Sequence, residues 1–581
     1  RVENKPVKIA AHVAARSSIT TEFNLHANDQ PVYSIPISGV KFDFTGYYAR
    51  GKYALDSLDT AGENISIQLD FNDPNSSSLG WLNYITLNAT RELRMEGDQM
   101  KFRYRAKQSG IIEFNLANVE ENINIWDVTD LQNVQIVNNS QFKNGTASFK
   151  VSVEPGTREF IAFTGNDFHA PGIEGDVPNQ DLHGLDPADM IIVAKERFLS
   201  QAEELAELHF SNDGLKSVVV TDKEIFNEFS SGKPDPAAIR NFVRYMYERS
   251  TAADSLRYLL FFGDGSYDNR ECHNSQYMIT YQSRESLHYS NSFVSDDYFG
   301  LLDETDDIEA QMSGLLDIGI GRLPVNTMDE ARTAVDKIKS YIEHGPEESW
   351  LNKITFVADD EDRNVHIFDA NQLSNFVSAN YQEFNVQKIF IDAYEQVTNA
   401  TGSRYPEVNE EINKNINNGV MLINYVGHGG EHHLAHERIL TKDDISSWSN
   451  ENKLPIFLTA TCEFTRFDDH TYTSAGEEVF LREDGGAIAL FSTTRLVYSN
   501  QNYALNRAFY NYVFQRRQGE KPYRLGDIVR LTKNNAGTSK NKRNFSLFGD
   551  PAIQLPIGEL TVKTDSLGQQ GTGKVDTLNP L

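Results

Sequence analysis

A thiol and an imidazole each follow an apolar run in the second half of the chain. His428 stands two residues after the run 420–426, and Cys462 stands two residues after the run 456–460. Between the two runs, residues 441–444 have the composition of a capping box that begins one short helix. A strand, a helical crossover and a parallel strand bring both carboxyl ends to the same edge of a sheet. We therefore predict that Cys462 and His428 meet across a cleft.

This pair predicts nucleophilic catalysis at a carbonyl. A thiol of ordinary pKa, about 8.5, is mostly protonated at neutral pH, and only its thiolate is a strong nucleophile. An adjacent imidazole favours the thiolate and later protonates the leaving amine. We therefore expect Cys462 to be alkylated faster than Cys272, which lies in a polar loop. The amides of Gly429 and Cys462 are placed to stabilise a developing oxyanion.

A carboxylate is needed to orient the imidazole in a full triad. The run 354–358 ends in four acidic residues, 359–362, at what is predicted to be the same edge of the sheet. One of these carboxylates is expected to hold the tautomer of His428. A solvated acidic turn is the alternative interpretation of the same four residues.

Two alternatives to cysteine catalysis stay open. His428, Glu431 and His432 fit the H-x-x-E-H pattern of some zinc peptidases. That pattern places both imidazoles on one face only in a helix, and here two glycines interrupt it, at a cost of about 2 kcal/mol in a helix interior. The other alternative is a non-catalytic scaffold protein.

The composition of the chain limits the classes of partner and cofactor that the protein is expected to bind. The 581 residues include 54 Lys and Arg against 83 Asp and Glu, a net charge of −29, which repels nucleic acid. No apolar run approaches the ~18 residues of a membrane-spanning helix. Acidic loops that contain Asp296, Asp297 and Asp303 suit structural calcium, although no stretch has the EF-hand pattern. No cofactor is expected for catalysis.

Two kinds of sequence meet near residue 180. Residues 1–175 have short alternating runs between turn residues, which predicts an all-β sandwich region. Beyond it, apolar runs alternate with amphipathic helical stretches, which predicts parallel strands covered on both faces. The length of this α/β part predicts parallel sheets in two subdomains, residues 176–345 and 346–558. Residues 559–581 are expected to be a linker to a further C-terminal part.

Several of these segments resemble those of a known family. Residues 424–429 (NYVGHG) and 458–462 (LTATC) resemble the histidine and cysteine motifs of the gingipain-type cysteine peptidases, relatives of the caspases. The resemblance covers about residues 180–557 and includes three further motifs: FGDGSYD at 262–268, IGIGRLP at 318–324 and FGDP at 548–551. Residues 461–469 resemble the members of the family that act in type IX secretion.

The resemblance implies a caspase/gingipain-like α/β catalytic unit with a Cys462–His428 dyad. It assigns Glu361 as the residue that orients the histidine, with Asp360 one position away. Tyr498 corresponds to an aromatic lid over the substrate pocket, and His366 falls in the segment that contributes to this pocket. Because residues 364–366 contain no carboxylate, the resemblance does not support specificity for arginine.

The resemblance also implies a biological role. Members of this branch remove the C-terminal signal domain of exported cargo proteins and join the cargo to an anionic lipopolysaccharide, which makes them sortases as well as peptidases. They act at the extracellular face of the outer membrane with components of the PorV, PorQ and PorZ kind. In such a reaction the attack of Cys462 leaves the cargo bound as a thioester. Whether water or an amine then releases the cargo stays open at this point.

Overall fold

The protein forms two compact units in a computed structural model, residues 1–42 with 47–179 and residues 43–46 with 180–581. The structure describes residues 5–557, apart from 44, 60–63, 139, 166–169, 171, 174, 252–254, 271–275, 310–313, 344–348, 401 and 516–520, and also 567–569 and 573–575. The predicted break near residues 345–346, Cys272 and most of the predicted linker lie outside the described residues.

The first unit is built from antiparallel strands, as the alternating runs predict. Its strands are β1 (Val7–Arg16), β2 (Thr21–Ala27), β3 (Gln30–Ile37), β4 (Arg50–Leu58), β5 (Ile67–Asn72), β6 (Leu79–Asn88), β7 (Gln99–Ala106), β8 (Gly110–Ala117), β9 (Asn124–Asp127), β10 (Gln135–Ile136), β11 (Gln141–Lys143), β12 (Thr146–Val153) and β13 (Gly156–Phe163). Alternate side chains of β2 are buried, which is the pattern of a strand with one face on a core.

The strands of the first unit form four small sheets around two apolar cores. Sheets β4-β1-β6 and β3-β2-β5 enclose a core that includes Val13, Phe23 and Ile35. Sheets β10-β9-β13-β7 and β11-β12-β8 enclose a second core, which includes Phe114 and Phe160. The predicted all-β N-terminal region is confirmed.

The second unit alternates strands and helices. Its strands are β14 (Met190–Ala194), β15 (Ser217–Thr221), β16 (Tyr258–Phe262), β17 (Gly319–Leu323), β18 (Lys353–Ala358), β19 (Asn385–Phe390), β20 (Val397–Asn399), β21 (Gly402–Arg404), β22 (Leu422–Val426), β23 (His433–Leu434), β24 (Leu440–Thr441), β25 (Ile456–Ala460), β26 (Ala489–Thr493), β27 (Phe545–Phe548), β28 (Leu567–Gln569) and β29 (Gly573–Val575). Its α-helices are α1 (Leu199–Asp213), α2 (Asp222–Phe229), α3 (Pro236–Glu248), α4 (Met328–Glu343), α5 (Glu361–Asn380), α6 (Pro406–Asn418), α7 (Lys442–Ser446), α8 (Ala475–Leu481), α9 (Ser499–Tyr510) and α10 (Leu525–Asn535). Among the described residues, no helix combines the length and the apolar composition that crossing a bilayer requires.

One ten-stranded sheet organises the second unit, in the order β15-β14-β16-β17-β27-β26-β25-β22-β18-β19. The five strands from β15 to β27 are parallel to one another, and so are the five strands from β26 to β19, whereas β27 and β26 pair antiparallel. The two parallel sheets that the sequence predicts are therefore joined edge to edge. Strand β27 joins the two parallel parts because it pairs with both β17 and β26. It comes from the C-terminal end of the α/β region.

The central strands are apolar on both faces because helices cover both faces of the sheet. Every residue of β16, β22 and β25 is buried, as expected for parallel strands in the interior of an α/β unit. In the register of the second half, Ala358 lies beside Val426, and Val426 lies beside Ala460. The loops that follow these three strands consequently begin at one edge of the sheet.

Candidate active site

The predicted thiol and imidazole follow two neighbouring parallel strands. His428 lies two residues beyond Val426, and Cys462 lies two residues beyond its partner Ala460. Neighbouring strands are about 4.8 Å apart, so the two loops leave the sheet side by side. The strand arrangement is the one that the spacing of the sequence predicts.

A buried carboxylate, that of Asp359, ties the histidine loop to the end of β18. Asp359 is fully buried, and its Oδ2 accepts a hydrogen bond from the amide of His428 at 2.9 Å. Its Oδ1 accepts from the amide of Glu361 at 3.0 Å, and its own amide donates to the carbonyl of Val426 at 3.1 Å. The backbone of His428 and the start of α5 are therefore fixed by one side chain. Sequence reasoning placed Asp359 among the candidate carboxylates but did not single it out.

The imidazole of His428 faces Asp362 rather than the predicted Glu361. His428 Nε2 lies 3.1 Å from Asp362 Oδ2. Glu361 instead lies beside His436, with Oε1 3.8 Å from Nδ1, and Asp360 accepts a hydrogen bond from Tyr405. The structure therefore brings Asp362, and not Glu361, to the imidazole, and the role of either carboxylate in catalysis stays a prediction.

A left-handed turn explains the change of carboxylate. Asp362, Arg363 and Asn364 have φ values of 54°, 61° and 63°, which lie in the left-handed region. Such a conformation costs about 1–2 kcal/mol for a residue other than glycine, although Asp and Asn tolerate it best. The turn brings the Asp362 side chain back towards His428. No periodic pattern in the sequence announces such a turn.

Two more imidazoles surround His428. The ring of His436 is stacked on it with a centroid distance of 5.0 Å, and the ring of His366 meets it edge-on at 5.2 Å. His366 is only 5% exposed, and burial lowers its pKa, with His428 as the next cause. The structure thus places the buried ring of His366 against the ring of His428.

The thiol of Cys462 is free and partly buried. Its Sγ donates a weak hydrogen bond to the carbonyl of Val497 at 3.9 Å. Burial raises the pKa of this thiol, against a smaller lowering effect of the Val497 contact. In the described part of the chain, no hydrogen bond joins Sγ to His428. Because no contact with His428 offsets the effect of burial, the structure does not show the activation of the Cys462 thiol that the sequence predicts.

The predicted oxyanion donors are available. Among the described residues, no acceptor takes the amide hydrogen of Gly429 or of Cys462. The loop after His428 turns into a hairpin in which the His428 carbonyl accepts from the amide of Ala435 at 2.8 Å. A Cβ atom at Gly429 would lie 2.5 Å from Thr461 Oγ1, so this close approach of the two loops requires glycine.

The zinc motif of the sequence is not assembled. His428 stands in a loop after a strand, and Glu431 forms an ion pair with Arg466. His432 packs instead against the ring of Tyr472, with a centroid distance of 5.4 Å. Because this segment is not helical, its two imidazoles do not share a face. Arg466 uses the Glu431 pair to anchor the segment that follows Cys462.

A second ion pair fixes the other side of the cysteine loop. Arg495 binds the buried carboxylate of Asp468, with Nη1 2.7 Å from Oδ1. Glu463, directly after the nucleophile, has a φ of 54°, and its amide donates to the Arg495 carbonyl at 3.4 Å. Strained backbone at this position is typical of functional sites.

Tyr498 borders a cavity of about 230 Å³ next to the cysteine loop. Its hydroxyl donates to Ser290 Oγ at 2.8 Å, and its amide donates to Asn541 Oδ1 at 2.7 Å. The residues that line the cavity are uncharged apart from one lysine: Ser290, Asn291, Leu496, Tyr498, Gln501, Ser539, Lys540, Asn541 and Asn544. His366 is not among them, so its predicted place in the substrate pocket is not supported.

The predicted calcium ligands have other partners. Asp296 forms a bidentate ion pair with the fully buried Arg322, with distances of 2.9 and 2.6 Å. Asp297 binds Lys533 at 2.5 Å and Arg543 at 3.0 Å. Protein cations thus pair with both aspartates in this structure, and calcium binding by Asp296 and Asp297 stays a prediction. Asp303 is exposed and stays a prediction.

The raised pKa of Cys462 predicts a pH dependence of its reactivity. A thiol whose pKa is raised stays protonated at neutral pH, so its thiolate fraction grows about tenfold per pH unit until the pKa is reached. We expect the rate of alkylation by iodoacetamide in the substrate-free protein to rise in this way from about pH 6 to about pH 9. This rate is measured by mass spectrometry of the peptide that contains Cys462.

The same profile is expected for the His428→Ala variant, because His428 does not contact Sγ in this structure. A plateau of reactivity near neutral pH that disappears in His428→Ala would contradict the prediction. It would show a thiolate–imidazolium pair in the free protein.

Comparisons with known proteins show the family and the fold of this chain. A sequence model of peptidase family C25 matches residues 183–556. Dimeric latent PorU from Porphyromonas gingivalis has a similar structure, with a TM-score of 0.62, 24% identity and coverage of 95% of this chain and 48% of PorU. The Arg-specific cysteine proteinase gingipain R has a TM-score of 0.50 at 16% identity, over 65% of this chain and 80% of that protein. No curated protein sequence matches the chain.

The chain spans about half the length of PorU, and both structural likenesses concern the fold. The family match covers most of the α/β unit, including both loops of the site. The chain therefore belongs to peptidase family C25 and has the fold of a gingipain-like cysteine peptidase.

Proposed function

We propose that this chain is a cysteine peptidase and transpeptidase that removes the C-terminal signal domain of exported cargo and attaches the cargo to a surface lipopolysaccharide. One observation carries the proposal. A free thiol and an imidazole follow neighbouring parallel strands whose register sets them side by side, in a chain of family C25. The fold likeness to PorU over 95% of the chain supports a role in the same secretion process.

The reaction begins at the scissile carbonyl of the cargo. Cys462 Sγ forms a bond to the carbonyl carbon, and its proton passes to His428. The amide hydrogens of Gly429 and Cys462 stabilise the oxyanion of the tetrahedral intermediate. Collapse breaks the C–N bond, His428 gives the proton to the leaving amine, and the cargo remains as a thioester on Cys462. Attack by an amine of the acceptor gives transpeptidation, and attack by water gives hydrolysis.

The side chain of His428 must leave Asp362 in part to reach the thiol. Its backbone is held by Asp359, so the change is a rotation of the ring and not a movement of the loop. Asp362 is mostly exposed and keeps the imidazole near the thiol until substrate fills the cleft. The thiol then passes its proton to the imidazole during the attack itself.

The remaining parts of the proposal concern the surroundings of the enzyme. We place it at the extracellular face of the outer membrane, with PorV-, PorQ- and PorZ-like components as partners and an anionic lipopolysaccharide as acceptor. The net charge of −29 argues against a nucleic acid partner. Catalysis by this dyad needs no cofactor.

Removal of the charge of Asp362 should impair catalysis more than the same change at Glu361. Asp362→Asn keeps the shape and tolerates the left-handed φ but loses the attraction for imidazolium. We expect kcat/KM to fall about 10- to 100-fold, or about 1.4–2.7 kcal/mol. Glu361→Gln, the matched control, is expected to stay within about twofold. If Glu361→Gln shows the larger loss, the assignment made from the sequence is right.

Short arginine peptides should be poor substrates. The cavity beside Tyr498 has a lysine and uncharged residues on its wall, and a buried guanidinium without a partner charge is strongly unfavourable. We expect short arginine peptides to be cleaved at least about 100-fold less efficiently than cargo that carries its signal domain. Equal efficiency for the two substrates would contradict the prediction.

The function itself is tested with purified cargo that carries its C-terminal signal domain. The parent protein is expected to release the signal domain from the cargo. The variants Cys462→Ala and His428→Ala are expected to lose this cleavage activity. His432→Gln is the matched control and should keep it. With an added amine acceptor, cargo should appear as the amide conjugate at the expense of the hydrolysed product.

Other outcomes of this experiment would support the alternatives. Loss of cleavage in His432→Gln and sensitivity to chelators, without sensitivity to thiol reagents, would indicate the zinc hydrolase. Secretion and anchoring that persist in a Cys462→Ala strain would indicate the non-catalytic scaffold. Cleavage without any amide conjugate would restrict the activity to hydrolysis.

A further inference from the structure

Three side chains behind the dyad have the composition of a metal site. Asp362, His366 and His428 offer one carboxylate oxygen and two imidazole nitrogens, and these atoms all lie within 4.8 Å of one another. Two imidazoles and a carboxylate form a donor set that zinc accepts in proteins, with a fourth position for water. The sequence motif with His432 does not contain this set.

The distances fit a tetrahedral ion. Asp362 Oδ2 lies 3.1 Å from His428 Nε2 and 3.6 Å from His366 Nε2. Bonds of about 2.0–2.1 Å at tetrahedral angles place two ligand atoms about 3.3 Å apart. The observed separations lie on both sides of this value. The two imidazole nitrogens lie within 4.8 Å of each other, so small rotations of the three side chains would complete the coordination.

His366 supplies an independent reason to expect a ligand. Its side chain is buried, and neither of its ring nitrogens has a hydrogen-bond partner among the described residues. A buried polar atom without a partner costs about 1–3 kcal/mol. Its Nε2 points towards Asp362 at a distance too long for a hydrogen bond. A metal ion in this position would satisfy that nitrogen.

We propose that Asp362, His366 and His428 bind one Zn²⁺ ion, and that this ion reversibly blocks the peptidase. Zinc bound to His428 would take the ring nitrogen that proton transfer with Cys462 needs, and it would hold the imidazole on the Asp362 side of the cleft. The inhibitory consequence rests on the proposed function, whereas the binding of the ion does not. Release of Zn²⁺ frees His428 to turn towards the thiol.

Binding is tested by titrating the chelator-treated full chain with Zn²⁺, followed by calorimetry, and with Co²⁺, followed by its visible absorption. We expect one site that is weakened at least about 10-fold in His366→Gln and in Asp362→Asn. His432→Gln, the matched control, should keep the site and would lose it if the H-x-x-E-H motif were the ligand set. Thermal unfolding without metal shows that each variant is folded. Equal affinity in the parent and in folded His366→Gln would overturn the proposal.

Inhibition by Zn²⁺ is measured separately, as the rate of cargo cleavage. Zn²⁺ should inhibit cargo cleavage by the parent, and a chelator should restore it, whereas His366→Gln should need at least about 10-fold more Zn²⁺. A chelator that abolishes cleavage by the parent would overturn the inhibitory role. If the parent binds Zn²⁺ as described but cleaves no cargo, the metal site stands and the proposed function fails.

Discussion

The hydrogen bonds of one buried carboxylate hold the candidate active site together. Asp359 accepts from the amide of His428 and from the amide of Glu361, and so joins the histidine loop to the helix that carries Asp362. Two amide hydrogen bonds satisfy the charge of a fully buried side chain, and an unpaired charge there would be strongly unfavourable. A Cβ atom at Gly427 would lie 2.4 Å from that of Asp359, so the glycine permits the contact.

The ten-stranded sheet sets the positions at which the loops of the candidate site begin. The parallel strands from β26 to β19 align the ends of β18, β22 and β25, so the acidic, histidine and cysteine loops begin side by side. The loop after Cys462 is then held by the Arg466–Glu431 and Arg495–Asp468 pairs. Backbone positions are thus fixed, while the ring of His428 keeps the freedom to face either Asp362 or the thiol. That freedom connects the proposed catalysis with the proposed zinc inhibition.

Local patterns in the sequence sufficed for the all-β region, for the alternation of strands and helices, and for the placement of the His428 and Cys462 loops at one edge of the sheet. Each of these follows from periodicity or from the residue after a strand. The position of Asp362 beside His428 was not predicted because a left-handed turn at residues 362–364 has no periodic signature. The ion pairs of Asp296 and Asp297 involve Arg322, Lys533 and Arg543. Pairs with Lys533 and Arg543, more than 200 residues away, cannot be foreseen from neighbours in the chain. The position of β27 between β17 and β26 could not be predicted either, because it depends on the whole fold.

The proposed mechanism requires Cys462 to carry the cargo as a thioester. Intact-mass spectrometry after acid quench of a short incubation with signal-bearing cargo detects this intermediate. We expect a species whose mass equals the chain plus the cargo without its signal domain, and this species should be lost on treatment with hydroxylamine. The same species should be absent from Cys462→Ala. Cleavage of the cargo with no such species in the parent, or with normal rate in Cys462→Ala, would rule out the thioester mechanism.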